Sequence, residues 1–178
     1  MIMKEDINNN EIIVRDQYLT EEDQLNFWYH ANQCDYSFGQ RSDGFRGSRQ
    51  GRFTHPFDPV QFQQTSFWKL VEATVDSPIR LIDAYINCSD FATVSFPHTD
   101  EKFNCLSILI CLNQEWHRDW GGYTVFFHSL NANKILNTVI PEPGKAIFFN
   151  GRTTHNALAI TPNAEYQRFM LVLKTAWN

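Results

Sequence analysis

A chain of 178 residues is long enough to bury one core and too short for two ordinary domains. Hydrophobic residues make up 43% and charged residues 20%, a globular balance, and the net charge of −5 speaks against nucleic acid as a partner because phosphate binding needs a basic face. No apolar run is long enough to span a bilayer and no start resembles a secretory signal, so the expectation is a cytoplasmic protein with its four cysteines (Cys34, Cys88, Cys105, Cys111) as free thiols.

Residues 1–19 are polar apart from one short β-type run, Ile12–Val14. Thr20, followed by Glu21, Glu22 and Asp23, marks a helix start: the hydroxyl can cap it, and acidic residues suit the positive end of the helix dipole. Leu25, Trp28 and Tyr29 recur at helical spacing and are expected to face the core. Residues 37–58 interleave Gly39, Gly44, Gly47 and Gly51 with Arg41, Arg46, Arg49 and Arg52, which predicts a long loop. That loop is either a solvated connection or a lid that recruits an acidic or carboxylate-bearing substrate. A second helix is expected from Pro59 to Val75, capped by Asp58 and carrying an apolar stripe through Phe62, Phe67, Leu70 and Val71.

From Ile79 the pattern changes to short β-rich runs: Arg80–Asn87, Ala92–Phe96, Phe103–Leu112, Gly122–Phe127, Ile135–Ile140, Ala146–Phe149, His155–Ile160 and Arg168–Lys174. Turn signals such as Trp120-Gly121-Gly122 and Pro141-Glu142-Pro143-Gly144 separate them. Eight such runs predict an antiparallel sandwich or barrel, and two preceding helices make the fold mainly β within the α+β class. The expected architecture is a double-stranded β-helix, or jelly roll, with the two helices buttressing one sheet. Residues 1–178 then form a single domain, with 1–78 as a helical N-terminal part and 79–178 as the jelly-roll core.

His98-Thr99-Asp100 falls where a strand gives way to a loop, and alone it is weak evidence. His155 follows 57 residues later at the start of another expected strand, and Arg168 lies 13 residues beyond that, flanked by Phe169, Met170 and Leu171. A guanidinium inside an apolar strand is costly unless it meets an anion. Two imidazoles and one carboxylate suit the facial triad of a non-haem Fe(II) oxygenase, which leaves positions for a bidentate 2-oxo acid and for dioxygen. Arg168 then supplies the cation for the far carboxylate of 2-oxoglutarate. His117 and His128 fit this triad less well, and His30 and His55 read as structural or exposed.

The chain resembles the 2-oxoglutarate/Fe(II) dioxygenases, in particular their prolyl-4-hydroxylase-like branch, from about Tyr85 to Thr175. The resemblance rests on His98-Thr99-Asp100, the run Leu106–Trp116, the run Trp120–Phe127, Pro143-Gly144, His155 and Arg168 in that order. It implies iron at His98, Asp100 and His155, and the distal carboxylate of 2-oxoglutarate at Arg168. It also implies that Tyr85 lines the cosubstrate pocket and that Ser107 offers a small hydroxyl to it. One departure is Cys111, where prolyl hydroxylases often carry a tyrosine that helps hold 2-oxoglutarate. The implied reaction hydroxylates a C–H bond while 2-oxoglutarate and dioxygen give succinate and carbon dioxide. Asp100 favours hydroxylation over halogenation, because the related halogenases lack the carboxylate. A peptidyl proline or related protein side chain is the favoured substrate, and a free amino acid or small metabolite is the alternative; neither nucleic acid nor membrane is expected as a partner, and oligomeric state is left open. Two rivals of other classes are a non-catalytic jelly-roll binding module and a zinc hydrolase using the same triad. The zinc reading gives Arg168 no role and predicts activity without oxygen.

Overall fold

The run Cys105–Cys111 is buried at every position, as expected of a strand covered on both faces, and the architecture is organised around it. The computed structural model describes residues 1–9, 11–40, 52–91, 93, 95–100, 105–128 and 131–178. Within them the helices are α1 (Lys4–Asn8), α2 (Glu21–Gln33), α3 (Pro59–Phe62) and α4 (Ser66–Thr74). The strands are β1 (Ile13–Arg15), β2 (Ser37–Gln40), β3 (Arg52–Phe57), β4 (Ile79–Ser89), β5 (Cys105–Cys111), β6 (Thr124–His128), β7 (Asn131–Val139), β8 (Ala146–Asn150), β9 (His155–Ala157) and β10 (Arg168–Trp177). They form a seven-stranded sheet in the order β1-β8-β5-β10-β4-β3-β2 and a three-stranded sheet in the order β7-β6-β9, with antiparallel pairing throughout. This is the jelly roll that the strand spacing predicts.

Because strand side chains alternate between faces, each central strand contributes to two separate apolar layers. Ile86, Leu106, Ile108, Ile110, Phe148, Leu171 and Leu173 pack with Phe67, Trp68 and Val71 of α4 on the helix-covered face. Tyr85, Leu109, Cys111, Phe149, Met170 and Val172 occupy the opposite face and meet Phe126 of the small sheet. The register Tyr85↔Val172 and Ile110↔Leu171 keeps the two sets apart across β4, β10 and β5.

Several local expectations change. Residues 37–58 are not one loop: Ser37–Gln40 and Arg52–Phe57 pair as an edge hairpin, with Phe38 opposite Phe53 and their rings 5.2 Å apart. Pro56 is tolerated in β3 because β2 pairs only as far as Thr54, so one side of Pro56 has no strand to satisfy. Arg41, Arg46 and Arg49, the proposed lid residues, lie outside the described residues, as does the side chain of Arg52. The expected helix 59–75 is broken into α3 and α4. Thr65 causes the break: its hydroxyl donates to Phe62 O at 2.7 Å and accepts from Trp68 N at 3.1 Å, closing one helix and capping the next. On α2 the buried face is Phe27, Trp28 and Ala31, whereas Leu25 and Tyr29 are exposed.

The expected strand Ala92–Phe96 is not formed at its described residues. Thr93 folds back on Asp90 through a side-chain bond of 2.8 Å and a backbone bond of 3.2 Å, and Pro97 follows. The remaining expected strands are present with end shifts of a few residues, and none of the four cysteines forms a disulfide. No helix among the described residues is long and apolar enough to cross a membrane.

The Thr65 hydroxyl makes a direct prediction. Thr65→Ala should lower unfolding free energy by about 1 kcal/mol, and Thr65→Ser should retain most of it. Urea denaturation of the three proteins checks this, and equal midpoints would show that the break is set elsewhere.

Candidate metal centre and anion pocket

The backbone brings three distant residues together before any side chain is considered. His98 and His155 face each other across a two-bond bridge, N–H to O at 3.0 Å in one direction and 2.9 Å in the other. Asp100 N donates to Gly151 O at 2.8 Å, which ties the loop after His98 to the end of β8. Gly151 is required there by contact, since a Cβ would lie 2.2 Å from Cys105 Sγ and 3.7 Å from Asp100 Cβ.

The side chains then converge. One ligand atom from each of His98, Asp100 and His155 lies within 4.8 Å of the others. His98 Nδ1–H donates to Phe96 O at 2.8 Å, and His155 Nδ1–H donates to Thr153 O at 3.0 Å. Each bond sets the tautomer and leaves Nε2 as the ligand atom, an arrangement common around metal-binding histidines. The two imidazole centroids are 4.5 Å apart, and Phe149 packs its ring edge-on to His155 at 4.8 Å. His155 Nε2 is 3.8 Å from Asp100 Oδ2, a buried oxygen that makes no hydrogen bond within the described residues. A buried carboxylate oxygen of this kind, facing two imidazole nitrogens, is what a divalent cation would complete.

Asp100 is electrostatically poised for that role. Burial opposes its charge, but His155, Lys174, the Ser107 hydroxyl and His98 outweigh burial and hold the carboxyl below its ordinary range. Lys174 Nζ stands 3.4 Å from Asp100 Oδ1, so the two carboxylate oxygens have separate duties. One meets a permanent cation and the other faces the imidazoles. Burial opposes the charge of Lys174 in turn, but Tyr85, Asp100 and Asp83 outweigh burial and raise its pKa.

Arg168 lies at the other end of the same face. It is 3% exposed, and its Nη2 donates to Thr124 Oγ1 at 2.9 Å. Asn113 holds the backbone on both sides of it: its Nδ2 donates to Gln167 O at 2.8 Å, and its Oδ1 accepts from Phe169 N at 2.9 Å. Gly122, at φ +70°, passes so close that a Cβ would lie 3.0 Å from Arg168 Cδ and 2.9 Å from Ile160 Cγ2. A small cavity of about 30 Å³ lies between the two sheets, with His98, His155, Asn87, Met170, Thr124 and Arg168 on its walls. A larger cavity of about 390 Å³ lies against α2 and α3, on the helix-covered side of the large sheet and away from this cluster.

The structure thus brings His98, Asp100 and His155 into one cluster and puts Arg168 on the wall of the adjoining cavity. Cys111 is close enough for Arg168 to act on its thiol, although burial dominates and pushes that thiol up to about 12. Tyr85 and Ser107 share the inner face but sit at the Asp100 end. Tyr85 has Lys174 Nζ 5.9 Å from its ring, and Ser107 pairs with Lys174 across β5 and β10. Lys174 is six residues along β10 from Arg168, about 20 Å of strand. The hydroxyl beside Arg168 is therefore that of Thr124 and not that of Ser107.

Lys174, Thr124 and Asn113 are the residues that sequence reasoning missed. Lys174 was detectable by parity, because 168, 170, 172 and 174 share one face of β10. Thr124 and Asn113 carried no signal beyond their position in the β half.

Comparison with known proteins points the same way. A family model described as the 2OG-Fe(II) oxygenase superfamily matches residues 86–174, half of the chain. No curated protein matches the chain. Among solved structures, a prolyl hydroxylase from Trichoplax adhaerens in complex with a hypoxia inducible factor peptide fragment matches with a TM-score of 0.71 at 16% identity, covering 97% of this chain and 86% of that one. A Pseudomonas putida prolyl-4-hydroxylase matches at 0.72 and 13% identity, covering 98% and 96%. HygX from Streptomyces hygroscopicus, with nickel, 2-oxoglutarate and hygromycin B bound, matches at 0.67 and 12% identity, covering 96% and 84%. At these identities the structural likeness is one of fold.

The Asp100–Lys174 pair yields a test. Lys174→Ala should destabilise the metal-free protein by about 2 kcal/mol, because it removes the cation beside a buried carboxylate. A divalent metal should recover part of that loss. Urea unfolding with and without metal measures both, and a variant as stable as wild type without metal would show that Asp100 does not depend on Lys174.

Proposed function

The chain belongs to the 2OG-Fe(II) oxygenase superfamily, and from that premise we propose that it hydroxylates a C–H bond of a peptidyl proline or a related protein side chain. It is a 2-oxoglutarate-dependent Fe(II) oxygenase that uses Fe(II), 2-oxoglutarate and dioxygen. In this reading His98, Asp100 and His155 hold the iron, and Arg168 holds the distal carboxylate of 2-oxoglutarate. The observation that carries it is the cluster of two Nε2 atoms and one carboxylate oxygen at a cavity whose wall also bears a buried guanidinium.

When bound, the iron and 2-oxoglutarate supply the activation of dioxygen and the oxidation of the C–H bond, with succinate and carbon dioxide as coproducts. The chain's own residues bind, orient and exclude water. His98 and His155 present Nε2 because their Nδ1 protons are committed to backbone carbonyls. Lys174, 3.4 Å from Asp100 Oδ1, helps to hold Asp100 ionised and oriented, acting as a positioning residue. Arg168 offers a two-pronged, permanently charged grip for a carboxylate, and burial strengthens that grip by removing competing water. Thr124 accepts from the guanidinium and Asn113 holds the backbone on both sides of Arg168, so its position is fixed from two directions. Cys111 itself is a protonated thiol within the apolar wall.

Two features support a protein side chain as the substrate. One is the Trichoplax structure, which holds a peptide in a protein of the same fold. The other is the exposure of Phe91 and Phe96 on the segment leading to His98, an apolar surface suited to an extended peptide. A small-molecule substrate is the alternative, and the hygromycin-bound neighbour shows that the fold can admit one.

The first test needs no substrate. Anaerobic addition of Fe(II) and then 2-oxoglutarate should give a visible metal-to-ligand charge-transfer band, absent in His98→Ala and weakened in Arg168→Ala. Gly122→Ala should weaken 2-oxoglutarate binding about tenfold, equivalent to about 1.4 kcal/mol, by displacing Arg168 while leaving Fe(II) binding unchanged. No band in folded wild-type protein at saturating ligand would end the oxygenase-site assignment. Succinate release should then rise with proline-containing peptides; stimulation only by small molecules would overturn the peptide preference and keep the site.

A further inference from the structure

Three side chains outside the oxygenase site make a second cluster suited to a metal. His30 and Cys34 are four residues apart at the end of α2, so they project from one face of the helix a turn apart. His55 comes from β3, opposite Ile86 on β4. One ligand atom from each of the three lies within 4.8 Å of the others. We propose that His30, Cys34 and His55 form a second metal site, suited to Zn²⁺, that clips the edge hairpin β2–β3 to helix α2.

The donor chemistry supports zinc. A thiolate and two imidazoles are donors that zinc takes at about 2.0–2.3 Å in tetrahedral geometry, with a fourth position left for water; copper shares this donor set, whereas a hard, oxygen-rich set suits Mg²⁺ or Ca²⁺. Bond lengths of about 2.0–2.3 Å place tetrahedral ligands roughly 3.3–3.8 Å apart, so closure from 4.8 Å needs side-chain movements of about an ångström. Binding displaces the thiol proton of Cys34 to solvent, and the thiolate takes its place on the ion. That thiol now points at Ala31 O at 3.8 Å, a weak contact to give up.

The imidazoles are held for the role. His55 Nδ1–H donates to Asp35 O at 2.9 Å, leaving Nε2 as the ligand atom and repeating the device seen at His98 and His155. The ring of His30 stacks on Phe57 with centroids 5.5 Å apart and meets the ring of His55 edge-on at 5.4 Å. His30 also lines the open cavity against α2 and α3, which gives an ion its entry path. The cluster is separate from the oxygenase site by strand parity. His55 lies opposite Ile86, which belongs to the helix-covered face, while Tyr85 and Asn87 turn to the other face of the same sheet.

The test uses Co²⁺ as the probe on the full-length chain. The oxygenase triad contains no sulfur, so a thiolate-to-cobalt charge-transfer band reports the second site alone. Wild-type and His98→Ala proteins should both show the band together with intense tetrahedral ligand-field bands, and Zn²⁺ should bleach them. Cys34→Ser and His55→Ala should lose the band. Zinc stoichiometry should fall by one ion per chain in Cys34→Ser, and zinc should raise the melting temperature of His98→Ala but not of the double variant His98→Ala/Cys34→Ser. Circular dichroism confirms that each variant folds. No thiolate band in wild type, or a band that survives both Cys34→Ser and His55→Ala, would overturn the site.

Discussion

The side chain of Asp100 is 5% exposed, and a carboxylate so far from water is tolerable only if its charge is answered from all sides. The answers come from four different elements. His155 opens β9, Lys174 sits near the end of β10, Ser107 is inside β5, and His98 precedes Asp100 on the same loop. The backbone is bound into the same arrangement, because Asp100 N is held by Gly151 O and Gly151 N by Cys105 O. A large part of the jelly roll's closure at this end therefore serves one ionised group. Lys174 neutralises it on one oxygen while the other stays directed at the imidazoles. That division leaves the second oxygen of Asp100 facing the imidazoles in the folded chain.

The polar site can exist inside an apolar fold because β-strands have two faces. On β10, Phe169, Leu171 and Leu173 join the helix-side core, while Arg168, Met170, Val172 and Lys174 look the other way. The odd residues bury the sheet against α4, and the even residues carry a cation at each end with apolar residues between. On β5, Leu106, Ile108 and Ile110 provide stability on one face, and Ser107 and Cys111 contribute to the site face on the other. A one-residue slip in either strand would exchange the two sets and destroy core and site together. Stability and chemistry thus share one register.

How much of this was legible follows from what each residue has to do. His98, Asp100, His155 and Arg168 stand out in the β-rich half by their order and spacing, not by residue type. The jelly roll was legible because its strands are apolar runs separated by turn residues. The hairpin flanks at 37–40 and 52–57 were not, since glycine and arginine in that stretch mask a pairing held by Phe38 and Phe53. The break at Thr65 was hidden because a threonine inside an apolar helix pattern reveals nothing of its two hydrogen bonds. Ala92–Phe96 has strand composition, yet the Asp90–Thr93 turn and Pro97 prevail over propensity. Thr124 and Asn113 act only through tertiary contacts with β10, and a single sequence holds no trace of such contacts. The resemblance implies that Tyr85 and Ser107 line the cosubstrate pocket; in the structure both stand at the Lys174 end of the inner face, because parity fixes the face while distance along the sheet depends on register.

The two ligand clusters stand on opposite faces of the same sheet, and β4 is common to both. Its Tyr85 and Asn87 belong to the oxygenase side, while Ile86 between them lies opposite His55 on β3. An ion joining His55 to α2 would hold β3 against β4 from outside, exactly where β4 pairs with β10 to support Lys174 and Arg168. The donor sets also differ in a useful sense. The inner cluster offers a carboxylate and leaves coordination positions for oxygen ligands, whereas the outer cluster offers sulfur and suits a softer, redox-inert ion.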